Sequence, residues 1–302
     1  MDNKGTYEAA VVDLNASVHQ VPENGFEIVR GFRTKHGAMA TRCFLVRRSG
    51  QDRVVKLPED FYLKFSDVNP VNKDAILEFA DRFGSLRYIG SHFHAPGDAH
   101  GKEGEDITEW KIEIDRLRTA IDLWFAAKIG DKPGIHRLLQ ARRKTGKPWI
   151  LVSPLSCMPE LKDELELAKM TVIVTVSAAL RQKAEEDTPC MFPGCGSRGG
   201  SARSGHDYTT AWLRPSKGRD ADLVVVPSNL IKAIWLQFAA VVAGQRKLKK
   251  CEAPDCARYM DVTGSPRPGA CRMHSSCEER WRKRRYRESL RSQSENIERE
   301  HR

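Results

Sequence analysis

Between residues 26 and 57 apolar and polar positions alternate. The segments FEIVRGF, RCFLVRR and DRVVKL are rich in Val, Ile and Phe, and that period of two predicts a few short strands. Beyond residue 70 the period lengthens. In NKDAILEFADRFG, Ile76, Phe79, Ala80 and Phe83 fall three or four apart, with Asn72 placed to cap the helix and Gly84 to end it. In DITEWKIEIDRLRTAIDLWFAAKIG, Asp106 followed by Glu109 resembles a capping box. Trp110, Ile114, Leu117, Ile121 and Trp124 then form the apolar stripe of a helix lying on a core. Helical patterns recur at about 159–186 and 228–247. The last is apolar on nearly every face, which predicts a central buried helix. No internal repeat is visible, and GCGSRGGSARSG at 194–205 reads as a flexible Gly/Ser-rich loop. The pattern as a whole predicts a mainly α (α+β) fold.

Charge divides the chain. Of the net +10, residues 246–302 hold +7, with 16 Lys or Arg against 9 Asp or Glu. A nearly neutral part, 1–245, is expected to be a packed, mainly helical domain, and 246–302 a separate basic module. The chain is 40% hydrophobic, enough for a sizeable core. The first residues, MDNKGTYEAAVVDLN, lack a cationic flank before an apolar run, so no signal peptide is expected. The longest apolar run, LIKAIWLQFAAVVAG at 230–244, is shorter than the roughly 20 residues of a membrane span. A cytoplasmic, reducing location is therefore expected, where paired cysteines read as metal ligands rather than disulfides.

Four of the eight cysteines lie in CEAPDCARYMDVTGSPRPGACRMHSSC, residues 251–277. Cys251-x4-Cys256 is one pair and Cys271-x5-Cys277 the other. The 14 residues between them carry two prolines and two glycines, suited to a loop that returns to the first pair. Zinc takes four tetrahedral ligands, and structural sites usually draw them as two pairs from two turns. The expected ligands are Cys251, Cys256, Cys271 and Cys277, with His274 able to replace one thiol. The segment is too polar to bury four thiols that have no task.

These residues resemble the zinc finger of the bacterial CGNR family, which ends many transcription regulators. Cys251 and Cys256 match its first pair, Tyr259 and Asp261 the aromatic and acid that follow, Arg267 its basic loop, and Cys271 and Cys277 its second pair. Of the closing Cys-Gly-Asn-Arg, Cys277 and Arg280 match, while Glu278 and Glu279 replace Gly and Asn. Ala270 stands where a Trp is frequent, and the second pair is one residue wider. The resemblance covers about 40 residues. It implies a zinc module followed by a very basic helix, in a regulator whose upstream helical domain is fainter in this chain.

The segment after Cys277 reads as one helix over 277–298. Arg280, Arg282, Lys283, Arg284, Arg285 and Arg287 crowd two turns. Like charges at that density repel, and a polyphosphate backbone is the usual compensation. These six are the candidate nucleic-acid contacts, most simply to DNA. Trp281 and Tyr286 can stack on bases or anchor the helix. The alternatives are a solvated tail or a zinc-stabilised protein-interaction module.

Two other clusters remain. Cys190-x4-Cys195, with His206 and Cys157, offers ligands for a second zinc, although loop cysteines without a ligand are the simpler reading. His92, His94, Asp98 and His100 resemble the motif of metallo-β-lactamase-like hydrolases, but the Asp is two residues too far on and helices follow. A histidine-bearing surface loop is expected there, and no enzyme. There is no phosphate-binding Gly loop and no Gly-x-Ser-x-Gly. The expectation is a zinc-binding bacterial regulator whose larger domain docks a protein partner or small ligand.

Overall fold

The computed structural model describes residues 18–35, 38–86, 91–93, 102–144, 163–181, 210–216, 219–227, 229–253, 255–256, 258–263 and 273–300. The chain divides into two compact units, Met1–Val242 and Ala243–Arg302. The fold is mainly α with small antiparallel strand groups. No described helix is long and apolar enough to cross a membrane.

In the larger unit, β1 (Val18–Pro22) pairs antiparallel with β4 (Asp52–Lys56). β2 (Phe26–Lys35) and β3 (Ala38–Arg47) form a long antiparallel pair. The sheet continues through β6 (Lys102–Asp106) to β5 (Ser91–Phe93), in the order β2-β3-β6-β5. β7 (Thr210–Ser216) and β8 (Arg219–Val226) pair as a separate antiparallel ladder. The helices are α1 (Phe61–Asp67), α2 (Lys73–Phe83), α3 (Ile107–Ile129), α4 (Lys132–Lys144), α5 (Glu164–Arg181) and α6 (Leu230–Val242).

The core forms where the apolar faces of α1, α2, α3 and α6 meet. Phe61 stacks on Phe79 at 5.3 Å and meets Phe83 edge-on at 4.9 Å. Phe65 and Phe79 both lie against Trp110. Trp110, Trp235, Tyr62, Phe238, Ile114 and Leu117 are among the largest fully buried side chains. α6 is the central buried helix, with 10 of 13 residues inaccessible. Trp124, expected on the α3 stripe, is only half-buried, and Leu123 takes the inward position. A helix turns about 100° per residue, so Leu123 lies on a different face from Trp110, and α3 also packs against α4 and α5.

Buried polar groups tie the helices together. Gln237 on α6 donates to the Pro58 carbonyl (2.9 Å) and accepts from the Tyr62 amide (3.0 Å). It thereby satisfies an orphan donor at the start of α1. Arg118 on α3 donates through Nε and Nη2 to the Ser66 carbonyl and through Nη2 to that of Val68, completing the other end of α1. Asp106 is fully buried, caps α3 by accepting from the Thr108 amide (2.8 Å), and pairs with Arg42 at 2.7 Å. A carboxylate at a positive helix N-terminus with a guanidinium partner is a tolerated buried charge. α3 ends at Gly130 in the left-handed region (φ 74), a conformation that favours glycine.

One segment differs from the sequence expectation, and one helix had none. Residues 91–93 form strand β5, paired to β6 with His92 opposite Glu103, rather than a surface loop. β-Pairing with neighbours decides strand formation more than intrinsic preference does. α4 was hidden by Pro133 and Gly134, yet proline is tolerated in a first helical turn, where the missing N–H would be unpaired anyway.

Candidate metal centre

The smaller unit begins with β9 (Leu248–Lys250), antiparallel to β10 (Tyr259–Asp261). The segment joining the two strands carries Cys251 and Cys256. The Cys251 amide donates to the Arg258 carbonyl at 2.9 Å, extending the ladder by one step. The Cys256 amide donates to the Ala253 carbonyl at 3.0 Å and closes a tight turn. These two bonds fold the joining segment back on itself, so that both thiols can converge. At the other end of the ladder, Asp261 accepts from Arg246 (2.9 Å) and from the Thr263 amide (2.9 Å).

α7 (Ser275–Glu300) supplies the rest of the cluster. The Glu278 amide donates to the His274 carbonyl (2.8 Å), so helical bonding starts at His274. His274 and Cys277, three residues apart, then share one face of the first turn. The ligand atoms of Cys251, Cys256, His274 and Cys277 all lie within 4.8 Å of one another. His274 Nδ1 is 3.7 Å from Cys256 Sγ and 4.0 Å from Cys277 Sγ. A tetrahedral zinc with bonds of about 2.3 Å to sulfur and 2.05 Å to nitrogen places S and N about 3.6 Å apart. The cluster is close to that size.

The histidine is held in the tautomer a metal needs. Its Nε2 lies 3.1 Å from the Tyr259 carbonyl, which can only accept. Nε2 therefore carries the proton, and Nδ1 turns its lone pair to the thiols. Cys251, Cys256 and Cys277 are buried with Ala253, and Met273 packs against them. Burial pushes the Cys251 thiol up, against backbone hydrogen bonds from Ala253 and His274. Burial also opposes ionisation of Cys277. There, hydrogen bonds from the Arg280 side chain first, then Cys256, Cys251 and His274, prevail and lower its pKa to about 6. Arg280 Nη2 donates to Cys277 Sγ at 3.2 Å. Three buried thiols and an imidazole facing one centre fit a divalent metal, which holds them as thiolates.

No family model, curated protein or solved structure matches the chain. The site is therefore read from its own geometry. It brings together Cys251, Cys256 and Cys277 of the expected ligands, with His274 as the fourth group. Cys271, Arg267 and Ala270 lie outside the described residues, as do Cys157, Cys190, Cys195, His206, His94, Asp98 and His100.

The six cations of residues 280–287 are placed as follows. Arg282 pairs with Glu278 (2.5 Å) and Lys283 with Glu279 (2.7 Å), each one helical turn back. Arg284 reaches Asp255 at 3.5 Å. The Arg285 guanidinium sits 4.7 Å over the ring of Trp281, Arg280 serves Cys277, and Arg287 is exposed. Part of the compensation that the charge density demands is thus intramolecular. The role of Arg280 was not read from the sequence; its signal is the Cys-x2-Arg spacing at a helix start, which stacks the two side chains.

Proposed function

We propose that Cys251, Cys256, His274 and Cys277 hold one structural zinc, and that α7 binds nucleic acid, most simply duplex DNA. The observation that supports this reading is the position of the ligand cluster: two of its members form the start of the cationic helix itself. A zinc with three thiolates and one imidazole has its coordination filled, so it supplies a cross-link and no catalysis. The residues do the rest. Tyr259 orients His274, Arg280 stabilises the Cys277 thiolate, and the ladder of β9 and β10 fixes the first pair. α7 then projects cations in a fixed direction, where they can neutralise phosphates.

On this reading the chain is a cytoplasmic bacterial transcription regulator of the CGNR type, and the larger unit docks a protein or small ligand. The test is a titration of the zinc-loaded chain with labelled duplex at several salt concentrations. About four or five phosphate contacts give a slope of log K against log[salt] of about −4. Replacing Arg282, Lys283, Arg284 and Arg285 with Gln should weaken binding to all sequences alike and flatten the slope, since phosphate contacts carry no sequence information. No binding at about 50 mM salt, where charge attraction is strong, would refute the nucleic-acid role and leave a protein-interaction module.

A further inference from the structure

α7 is fixed along one side. Cys277 belongs to the metal cluster, and Arg280 and Arg284 reach back to Cys277 and Asp255. Tyr286 lies nine residues beyond Cys277, about 180° round the helix, and Leu290 follows one turn later. Both are exposed, Tyr286 at 67% and Leu290 at 46%. Trp281 is instead half-buried, with the Arg285 guanidinium 4.7 Å over its ring. Of the two aromatic rings in α7, Tyr286 is therefore the one offered outward. Cations flank the strip of Tyr286 and Leu290 on both sides. Arg282 and Arg285 lie about 40° and about 100° to one side of Tyr286, and Lys283 and Arg287 about 60° and about 100° to the other. Arg282 and Lys283 are held by exposed ion pairs to Glu278 and Glu279, which are weak enough for a phosphate to replace.

An apolar strip between two rows of cations is complementary to a trough with anions along both walls and apolar groups on its floor. The major groove of duplex DNA has that form: it is about 12 Å wide, lies between two phosphate backbones, and exposes the methyl groups of thymine. A helix with its side chains is about 10–12 Å across. A membrane surface calls for a broad apolar face, whereas between Cys277 and Arg291 the outward side of α7 has two apolar side chains. We propose that Tyr286 and Leu290 are the base contacts of α7. They lie on thymine methyl groups in the major groove, while Arg282 and Arg285 hold one backbone and Lys283 and Arg287 the other. The chain then prefers duplexes with thymine along the contacted stretch. The inference rests on the reading of α7 as a duplex-binding helix, and adds to it the residues that read bases.

The experiment compares binding of the zinc-loaded full chain to a labelled alternating adenine–thymine duplex and to the same duplex with uracil in place of thymine. Uracil removes the methyl group and keeps the phosphates and the base pairing. The expected result is binding to the uracil duplex weaker by at least about fourfold, the effect of one buried methyl group. The slope of log K against log[salt] should be the same for both, because the phosphate contacts are unchanged. The variant Tyr286→Ala/Leu290→Ala changes two exposed positions to a good helix former. It should bind the two duplexes equally, with the parent's salt slope, zinc content and helicity. Equal binding of the two duplexes by the parent chain, or a variant that still prefers thymine, overturns this inference and leaves duplex binding standing. Failure to bind either duplex at about 50 mM salt, or attachment to phosphatidylserine vesicles instead, overturns both.

Discussion

Removing the metal should unfold the smaller unit and leave the larger one intact. Among the described residues of Ala243–Arg302, the buried apolar side chains are Cys251, Ala253, Cys256, Val262 and Cys277. Among these described residues nothing larger than valine is buried, and three of the five belong to the candidate metal cluster. A unit of 60 residues is ordinarily stable by about 3–9 kcal/mol. Structural zinc in small finger modules contributes roughly 10–16 kcal/mol, more than the whole of that margin. Hydrogen exchange read by mass spectrometry follows each unit in the intact chain. With zinc, the amides of Cys251, Cys256 and Val262 should be protected by a factor on the order of 10³. After chelation that protection should fall to near unity and return when zinc is restored. Amides of α3 and α6 should not change, because Trp110, Ile114, Trp235 and Phe238 are buried in the core of the larger unit. Protection persisting at β9 and β10 after verified metal loss would show a fold independent of the site and refute the reasoning.

Further outcomes follow from individual side chains. His274→Ala should lower zinc affinity by at least about a hundredfold, as loss of a direct ligand exceeds the 10–100-fold cost of an outer partner, while Cys271→Ser should leave it near the parent value; chelator competition measures both. Arg280→Gln removes the hydrogen bond that offsets burial of Cys277, so that thiol titrates above its present pKa of about 6. Protons then compete with the metal at higher pH, and the loss of zinc affinity, about tenfold, should be greater at pH 6 than at pH 8. Glu278→Gln with Glu279→Gln frees Arg282 and Lys283 from their ion pairs, and should tighten duplex binding and steepen its salt slope by up to about 2; unchanged affinity would show that those cations face away from the phosphates.

Parts of this structure were legible because they depend on local pattern. The stripe Ile76, Phe79, Ala80 and Phe83 gave α2 with its Asn72 cap, and Asn72 does accept from the Asp74 amide. The all-round apolar character of 230–242 marked α6 as buried. What Gln237 does inside it was not legible, since its partners at Pro58 and Tyr62 lie more than 170 residues away. β6, KEGED, reads as a polar loop and becomes a strand through Phe44 and Leu45 of β3, opposite Asp106 and Glu105. At the metal cluster, spacing marked Cys251, Cys256, Cys271 and Cys277, with His274 able to replace one thiol; Cys271 lies outside the described residues, and among those described His274 completes the group. Spacing treats all cysteines alike. The start of α7 at Ser275 sets His274 and Cys277 on one face, and the Tyr259 carbonyl fixes the imidazole; both are tertiary facts. The cations of 280–287 were visible as charge, but their division between Glu278, Glu279, Asp255, Trp281 and Cys277 depends on the helix register.

X-ray absorption at the zinc edge of the purified, zinc-loaded chain tests the central claim most directly. The account predicts one zinc per chain, with three sulfur scatterers at about 2.3 Å and one imidazole nitrogen at about 2.0–2.1 Å. A shell made only of oxygen and nitrogen would contradict the site, and a shell of four sulfurs would contradict the role given to His274.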